Sequence, residues 1–267
     1  MADSVLYEVN DGLATVTINR PDAMNAMNTE AKVALRDALR AAADDTAVRA
    51  VLLTAAGDRA FCVGQDLKEH IGNLAADREN GSTLTMSTVS EHYNPIVRAL
   101  TEMPKPVVAA VNGVAAGAGF GFALAADFRV VSETASFNTS FAGVALTADS
   151  GVSWTLPRLI GASRASDLLL FPRSIKAQEA RELGIVNRLV PAESLRAEAE
   201  KVARTLASGP TVAYAAIKES LAYGASHTLS EALEREDVLQ TRAGASEDHS
   251  IAVQAFLAKQ PPQYLGR

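Results

Sequence analysis

The sequence has little of what would mark a secreted, membrane-spanning or disulfide-bonded protein. Cys62 is its one cysteine, so no internal disulfide can form and a reducing compartment is expected. No run of about 18 apolar residues predicts a membrane span, and the N-terminus has neither the basic nor the apolar region of a secretion signal. We therefore expect a cytoplasmic protein without membrane association.

Metal-ligand patterns, nucleophile motifs and positive charge are also scarce. The four histidines show no metal-ligand spacing, and no G-x-S-x-G nucleophile elbow occurs. The net charge is −6, which argues against nucleic acid as a partner. It leaves room for an anionic small ligand held by a few local basic residues. We expect a site for a small molecule and no metal.

What is present is an alternation of strand and helix patterns in an α/β chain of 267 residues, followed by helices. Residues 5–9 and 13–18 flank a tight turn and predict a β-hairpin. A helix starting near residue 29 and a strand at residues 50–53 predict a parallel βαβ unit. Residues 72–90 are polar and aperiodic, which predicts a mobile loop beside a pocket, or a long surface loop.

Residues 107–127, VVAAVNGVAAGAGFGFALAAD, combine a buried strand, a turn of small residues and an apolar helix. The turn contains Gly117, Ala118 and Gly119. The first N–H groups of a helix have no partner within the helix and can bind a phosphate or an oxyanion. Close helix–strand packing without a ligand would explain the glycines equally well. A dinucleotide site is disfavoured, because the spacing is G-x-G-x-G and the expected acidic residue is missing.

A second turn, in GDRAFCVGQDL at residues 57–67, also leaves backbone amides free. Gly64 permits a sharp turn, and Gln65 and Asp66 follow it at the start of a helix. A capped turn without further function is the simpler interpretation. Among the nearby carboxylates, Asp149 lies between small and apolar residues. It is a candidate helix cap and a candidate base, because burial raises a carboxyl pKa and strengthens the base.

Five segments of the sequence match, in the same order, segments that are typical of one protein family. They are RPDAMNAM (20–27), AFCVGQDLKE (60–69), PKPVVAAVNGVAAGAGFGFALAADFRV (104–130), SFNTSFAGVALTADSGVSWTLPRLIG (136–161) and ELGIVNRLVP (182–191). The set resembles the enoyl-CoA hydratase/isomerase (crotonase) superfamily. The resemblance implies an α/β fold, a ClpP-like spiral of ββα repeats over residues 1–191 that carries an acyl-CoA site. Residues 192–267 would be a helical trimerisation region. It also implies a homotrimer or a dimer of trimers, and no cofactor beyond the coenzyme A thioester that is the substrate.

The resemblance assigns the two turns to one oxyanion hole, in which the backbone N–H groups of Gln65 and Ala118 bind the thioester oxygen. Hydratases of this family carry glutamates at the positions of Gly121 and Phe141 in this sequence. Both are missing here, while Asp149 matches the aspartate of dienoyl-CoA isomerases and of the 1,2-epoxyphenylacetyl-CoA isomerase type.

A single carboxylate favours proton transfer. We therefore expect an isomerase that shifts a C=C double bond, or isomerises a related unsaturated or epoxide thioester, in fatty-acid or aromatic-acid catabolism. Three alternatives stay open: a hydratase that uses Asp149 alone, a non-catalytic acyl-CoA-binding protein, and a thioester hydrolase.

The resemblance also suggests contacts to the substrate. Residues matched to the wall of the CoA site, or placed beside the two turns, are Met24, Ala26, Ala60, Cys62, Asp66, Leu67, Lys68, Gly117 and Phe141. Lys259 matches a C-terminal basic residue that can reach CoA in a neighbouring subunit, although an ordinary exposed lysine is an equal interpretation. Residues 72–95, with Phe137, Phe141 and Trp154, are expected to shape the acyl pocket.

Overall fold

Two β-sheets form the centre of the computed structural model, which describes residues 3–267. The strands are Val5–Asn10 (β1), Leu13–Ile18 (β2), Ala50–Ala55 (β3), Ala60–Cys62 (β4), Val107–Val111 (β5), Val114–Ala116 (β6), Phe128–Ser132 (β7), Ser136–Asn138 (β8), Ile175–Lys176 (β9) and Arg188–Val190 (β10). The larger sheet has the order β1-β2-β3-β5-β7-β10, and the smaller has the order β4-β6-β8-β9.

Helices follow the strands in a regular succession. They are Thr29–Asp44 (α1), Leu67–Asn80 (α2), Asn94–Glu102 (α3), Ala118–Ala125 (α4), Val152–Ile160 (α5), Ala162–Leu170 (α6), Ala177–Glu182 (α7), Leu195–Ala207 (α8), Thr211–Gly224 (α9), Leu229–Gly244 (α10) and Glu247–Ala258 (α11). The units β3-β4-α2, β5-β6-α4 and β7-β8-α5 each place one strand in each sheet and then a helix. This is the spiral of ββα repeats with a C-terminal helical region that the resemblance implied.

The first strands form as the sequence pattern predicts. β1 pairs antiparallel with β2, with Val5 opposite Ile18 and Asn10 opposite Leu13, and β2 pairs parallel with β3. Asn28 caps α1, because its side-chain oxygen accepts a hydrogen bond from the N–H of Ala31 at 3.0 Å. The predicted hairpin and parallel βαβ unit are confirmed.

The main core lies between the sheets and the helices that follow them. All eight residues of α4 are buried, since this helix passes through the middle of the molecule. On the other face of the larger sheet, α8 packs Leu195, Ala199 and Ala203 against β3, β5 and β7. Residues 195–207 are therefore packed on the sheet, while α9 to α11 follow it in the chain.

The prediction of a loop over residues 72–90 was wrong. Most of the segment belongs to α2, to the 3₁₀ turn Leu84–Ser87 and to the π-helical turn Val89–Tyr93. Helix α2 buries none of its residues, so its sequence carries no apolar stripe with helical period. Its end signals are present, because Asp66 caps the first turn and Gly81 closes the last with φ of 63°. Along residues 3–267, no helix combines the length and apolarity required to cross a bilayer.

Candidate active site

The turn after β4 carries the first candidate amide. Gly64 adopts φ of +84°, and its carbonyl accepts a hydrogen bond from Met27 N at 2.7 Å. The N–H of Asp66 in turn donates to the carbonyl of Met27 at 3.1 Å. The N–H of Gln65 lies between these two bonds and has no acceptor within residues 3–267. Backbone hydrogen bonds of the residues before and after Gln65 therefore hold it in place, while the N–H of Gln65 itself remains free.

The turn between β6 and α4 carries the second candidate amide. Gly117 adopts φ of 52° and ψ of −123°, and its N–H donates to the carbonyl of Asn138 at 3.0 Å. Ala118 is the first residue of α4, so its N–H lacks an intrahelical partner, and no other acceptor is found for it in the described chain. A Cβ built on Gly117 would meet no atom within 4 Å, so open space faces this turn.

The two turns lie against each other. A Cβ built on Gly64 would be 3.2 Å from Ala118 N and 3.1 Å from the carbonyl oxygen of Ala116. A Cβ on Gly119 would overlap the carbonyl of Cys62. Glycine is therefore required at 64 and 119 to let the two backbones approach this closely. The arrangement brings the free amides of neighbouring turns to one region of the protein.

Asp149 lies beside the first turn of α4. A Cβ built on Gly121 would be only 2.6 Å from both Cβ and the carbonyl oxygen of Ser150, so the residue after Asp149 rests directly on Gly121. Oδ1 of Asp149 accepts a hydrogen bond from Ser150 Oγ at 2.9 Å. Burial raises the pKa of Asp149, while the Ser150 hydrogen bond and the charge of Lys32 act in the opposite direction.

The suggestion that the side chain of Asp149 caps a helix was wrong. Helix α5 begins after Gly151, whose φ of 73° makes the turn, and no side chain caps this end. Asp149 contributes only its carbonyl, which accepts from Val152 N at 3.0 Å. Its carboxylate is therefore not committed to the helix, which leaves it available for chemistry.

Neither position at which the resemblance implied a hydratase glutamate carries a carboxylate, and one of the two is closed to any side chain. At Gly121, the contact with Ser150 leaves no room for any side chain. At the second position, Phe141 is 7% exposed and belongs to the main hydrophobic core. The two-glutamate machinery is thus absent, and the backbone itself excludes one half of it.

Two residues that the sequence analysis did not single out support the first turn, although Tyr93 lies within the range 72–95 expected to shape the acyl pocket. The phenol of Tyr93 donates a hydrogen bond of 2.6 Å to Oε1 of Gln65, and burial raises the pKa of Tyr93. Lys32 Nζ lies 5.2 Å from the centre of the Tyr93 ring. Lys32 is buried on α1 in the same stripe as Leu35 and Leu39. A lysine within an apolar helical stripe was the available signal, whereas nothing in the sequence marks Tyr93 as more than a core aromatic.

Four of the residues suggested for contact with CoA lie around Arg20 and Asn25, namely Met24, Ala26, Ala60 and Asp66. The Arg20 guanidinium donates to the carbonyl of Ala26 and lies 3.0 Å from Asp66 Oδ2. Met24 precedes this contact with φ of 55°. Ala60 is buried in β4, where its carbonyl accepts from Asn25 Nδ2 at 2.7 Å.

The remaining candidates differ in exposure. Cys62 is fully buried, and burial raises the pKa of its thiol to about 12. Leu67 is 63% exposed and Lys68 is exposed at the start of α2. Lys259 follows α11 with φ of 53° and is exposed, and within residues 3–267 it makes no hydrogen bond or ion pair with the two turns. In residues 3–267, no three His, Cys, Asp or Glu side chains gather as a metal site.

Comparisons of the sequence and of the structure with known proteins point to the same family. The family model for enoyl-CoA hydratase/isomerase matches residues 8–267. A probable enoyl-CoA hydratase of Rhodobacter capsulatus is 40% identical over 99% of this chain and 98% of its own. The 1,2-epoxyphenylacetyl-CoA isomerase of Escherichia coli is 39% identical over the full length of both. A solved structure from Mycobacterium abscessus, described as an enoyl-CoA hydratase/isomerase, has a TM-score of 0.93 at 48% identity, covering 98% of this chain and 100% of that one.

The fold and the paired glycine turns define an α/β protein of the crotonase superfamily. Within it, the chain belongs to the enoyl-CoA hydratase/isomerase family.

Proposed function

We propose that this protein is an acyl-CoA isomerase that moves a C=C double bond by proton transfer. The observation that carries the proposal is that two free amides and one partly buried carboxylate lie on neighbouring segments, while Gly121 and Phe141 stand where hydratases of the family carry glutamates. The substrate is proposed to be a coenzyme A thioester, with no other cofactor.

In the proposed reaction, the thioester oxygen accepts hydrogen bonds from the N–H groups of Gln65 and Ala118. The carboxylate of Asp149 removes a proton from the carbon next to the thioester of a 3-enoyl chain. The electron pair of that C–H bond moves into the thioester and gives a dienolate, whose negative oxygen is stabilised by the two amides. Asp149 then returns the proton to the fourth carbon, and the double bond ends between the second and third. Proton and charge balance without water or an external acid.

A dienolate intermediate makes specific demands that these residues meet. Preorganised amides typically contribute about 10²–10³ in rate for each donor, and a positioned base about 10²–10⁴. Burial raises the pKa of Asp149 and so brings it nearer to the pKa of the substrate C–H group that loses the proton. The open space at Gly117 gives the thioester access to both amides.

The test is a double-bond shift assay with 3-enoyl-CoA, followed by the absorbance of the conjugated product. We expect Asp149→Asn to lower kcat by about 10²–10⁴ with little change in the binding of a saturated acyl-CoA. The matched control is Asp167→Asn, which makes the same change on the exposed side of α6 and should retain full activity. Full activity in Asp149→Asn would refute the proposed role.

Hydration by Asp149 alone is the second candidate, favoured by the name of the Rhodobacter relative. Rapid hydration of 2-enoyl-CoA, with 3-enoyl-CoA unchanged, would establish it in place of the isomerase. Release of free CoA would instead indicate thioester hydrolysis. Binding of CoA esters with no turnover of any of these substrates, equally in the wild type and in Asp149→Asn, would indicate a non-catalytic binding protein.

We also propose that the protein assembles as a homotrimer or a dimer of trimers. Supporting this are large apolar side chains that α9, α10 and α11 expose, namely Ile217, Leu221, Leu229, Leu233, Phe256 and Leu257. Light scattering should give three or six times the 28.0 kDa chain mass. A monomer mass at micromolar concentration would refute the assembly.

A further inference from the structure

A polar cavity adjoins the turn that carries Gln65. It has a volume of about 330 Å³ and lies between α1, α2 and the turns of residues 84–93. Apolar side chains in its wall are limited to Ala76 and Leu84. An alkyl chain gains binding energy when it leaves water for apolar surroundings, and this wall offers few apolar side chains. The cavity therefore suits a polar group better than an alkyl chain.

Lys32 is the buried cation of this wall. Its side chain is 2% exposed, and Nζ has one hydrogen-bond acceptor, the hydroxyl oxygen of Thr88 at 2.8 Å. The nearest carboxylate is Glu69, 3.9 Å away, which already accepts from the N–H and hydroxyl of Thr29. An ammonium group has three donors, so Lys32 retains hydrogen-bonding capacity at the cavity.

The hydroxyl of Thr88 cannot take up the remaining N–H groups of Lys32. Its hydroxyl oxygen lies 3.2 Å from His92 Nδ1, so it can donate to the imidazole while it accepts from Lys32. Burial lowers the pKa of His92, assisted by the charge of Lys32, which favours the neutral ring as the acceptor. The Thr88 hydroxyl is thus occupied on both sides.

We propose that Lys32 selects acyl groups that carry an uncharged oxygen acceptor, such as a hydroxyl, carbonyl or ether oxygen, beyond the reacting carbons. The inference rests on the proposed function in one respect, that the thioester carbonyl binds at Gln65 and Ala118. From there, the far end of the acyl group enters the cavity whose wall includes Gln65. A hydrogen bond from an ammonium group to such an oxygen is stronger than one between neutral groups.

The charges around the cavity argue against an anionic end. Asp77 and Glu91 belong to the same wall, and Glu69 already partly balances Lys32. A carboxylate placed there would face the negative side chains of Asp77 and Glu91, and the one buried cation is already partly balanced by Glu69. A neutral oxygen avoids this repulsion and still uses the free donor of Lys32.

The experiment compares the binding of three saturated thioesters by calorimetry: hexanoyl-CoA, 6-hydroxyhexanoyl-CoA and adipoyl-CoA. We expect the wild type to bind the hydroxy compound about 10-fold more tightly than hexanoyl-CoA, and adipoyl-CoA more weakly than the hydroxy compound. Lys32→Met should abolish the preference for the hydroxyl, and Lys32→Gln should leave a smaller preference. Arg40→Met, an exposed cation on the same helix, is the matched control and should change nothing.

Equal or tighter binding of hexanoyl-CoA by the wild type would overturn the inference, and so would a preference that survives in Lys32→Met. Tighter binding of adipoyl-CoA would identify a carboxylate site instead. The wild-type comparison requires no variant, so it stands even if Lys32→Met fails to fold. Because saturated thioesters cannot isomerise, their binding is independent of the double-bond shift, and either proposal can fail alone.

Discussion

The hydroxyl of Tyr93 and the side-chain oxygen of Gln65 are joined by a hydrogen bond of 2.6 Å. Tyr93 is 2% exposed, and its ring centre lies 6.1 Å from that of Phe122 in α4. One buried side chain therefore connects the turn that carries the Gln65 amide with the helix that begins at Ala118. Tyr93 is a positioning residue, because it acts on the proposed oxyanion site through Gln65.

Removing this hydroxyl should reduce turnover. Tyr93→Phe leaves the side-chain oxygen of Gln65 without its partner, and we expect kcat to fall about 10-fold in the double-bond shift assay with KM nearly unchanged. Tyr7→Phe is the matched control, since the buried hydroxyl of Tyr7 has no hydrogen-bond partner in residues 3–267. Its loss should leave stability unchanged or raise it. A Tyr93→Phe enzyme with wild-type kcat would show that the hydrogen bond is not needed.

The ionised carboxylate of Asp149 should lower the stability of the folded protein at neutral pH. Burial raises the pKa of this carboxyl in the folded state, so the folded protein holds the proton more tightly than the unfolded chain does. The resulting stability is fully present below the unfolded pKa and is lost as the pH rises through the folded pKa. Asp149→Asn stays neutral and avoids that loss. We expect its Tm to exceed that of the wild type at pH 7, and the difference to vanish near pH 3.

For a domain of this size, a gain of about 1 kcal/mol corresponds to a rise in Tm of about 2–4 °C. Scanning calorimetry at a series of pH values measures both proteins. Asp167→Asn again serves as the control, because it makes the same substitution at an exposed position. A lower Tm for Asp149→Asn at every pH would mean that the carboxylate stabilises the fold.

Restoring the first hydratase glutamate should fail. In Gly121→Glu, the new Cβ would lie 2.6 Å from the backbone oxygen of Ser150, so the chain around Asp149 must move. We expect a fall in Tm of about 5 °C or more and no gain in hydration of 2-enoyl-CoA. Gly72→Glu makes the same change within exposed α2, where a Cβ meets nothing within 4 Å. That control should keep or slightly raise the Tm, since glycine disfavours a helix interior.

The thiol of Cys62 should be inert in the native protein. It is fully buried, and its pKa of about 12 leaves almost no thiolate at neutral pH. We expect no reaction with a disulfide reagent such as DTNB over an hour, and one equivalent of thiol after denaturation. Rapid labelling of the folded protein would contradict this burial. The experiment needs no variant, because the chain has a single cysteine.

The sequence predicted the turns of the candidate site better than the groups that support them. The turns at Gly64 and Gly117 were found because both residues adopt positive φ, a conformation that favours glycine and so leaves it in the sequence. Lys32 was missed, and Tyr93 was included only within the range 72–95, because both contact the site from positions far from the two turns in the chain, which no local pattern records. Helix α2 was missed for a different reason: a helix that buries nothing needs no apolar periodicity.

The direct contact between Gly121 and Ser150 also bears on how such enzymes could diverge. A lineage that exchanged an aspartate base here for a glutamate on α4 could not do so by one substitution. The new side chain would displace the very segment that presents Asp149, so the old base would be lost as the new one arrived. Along this route the two acid–base designs exclude each other.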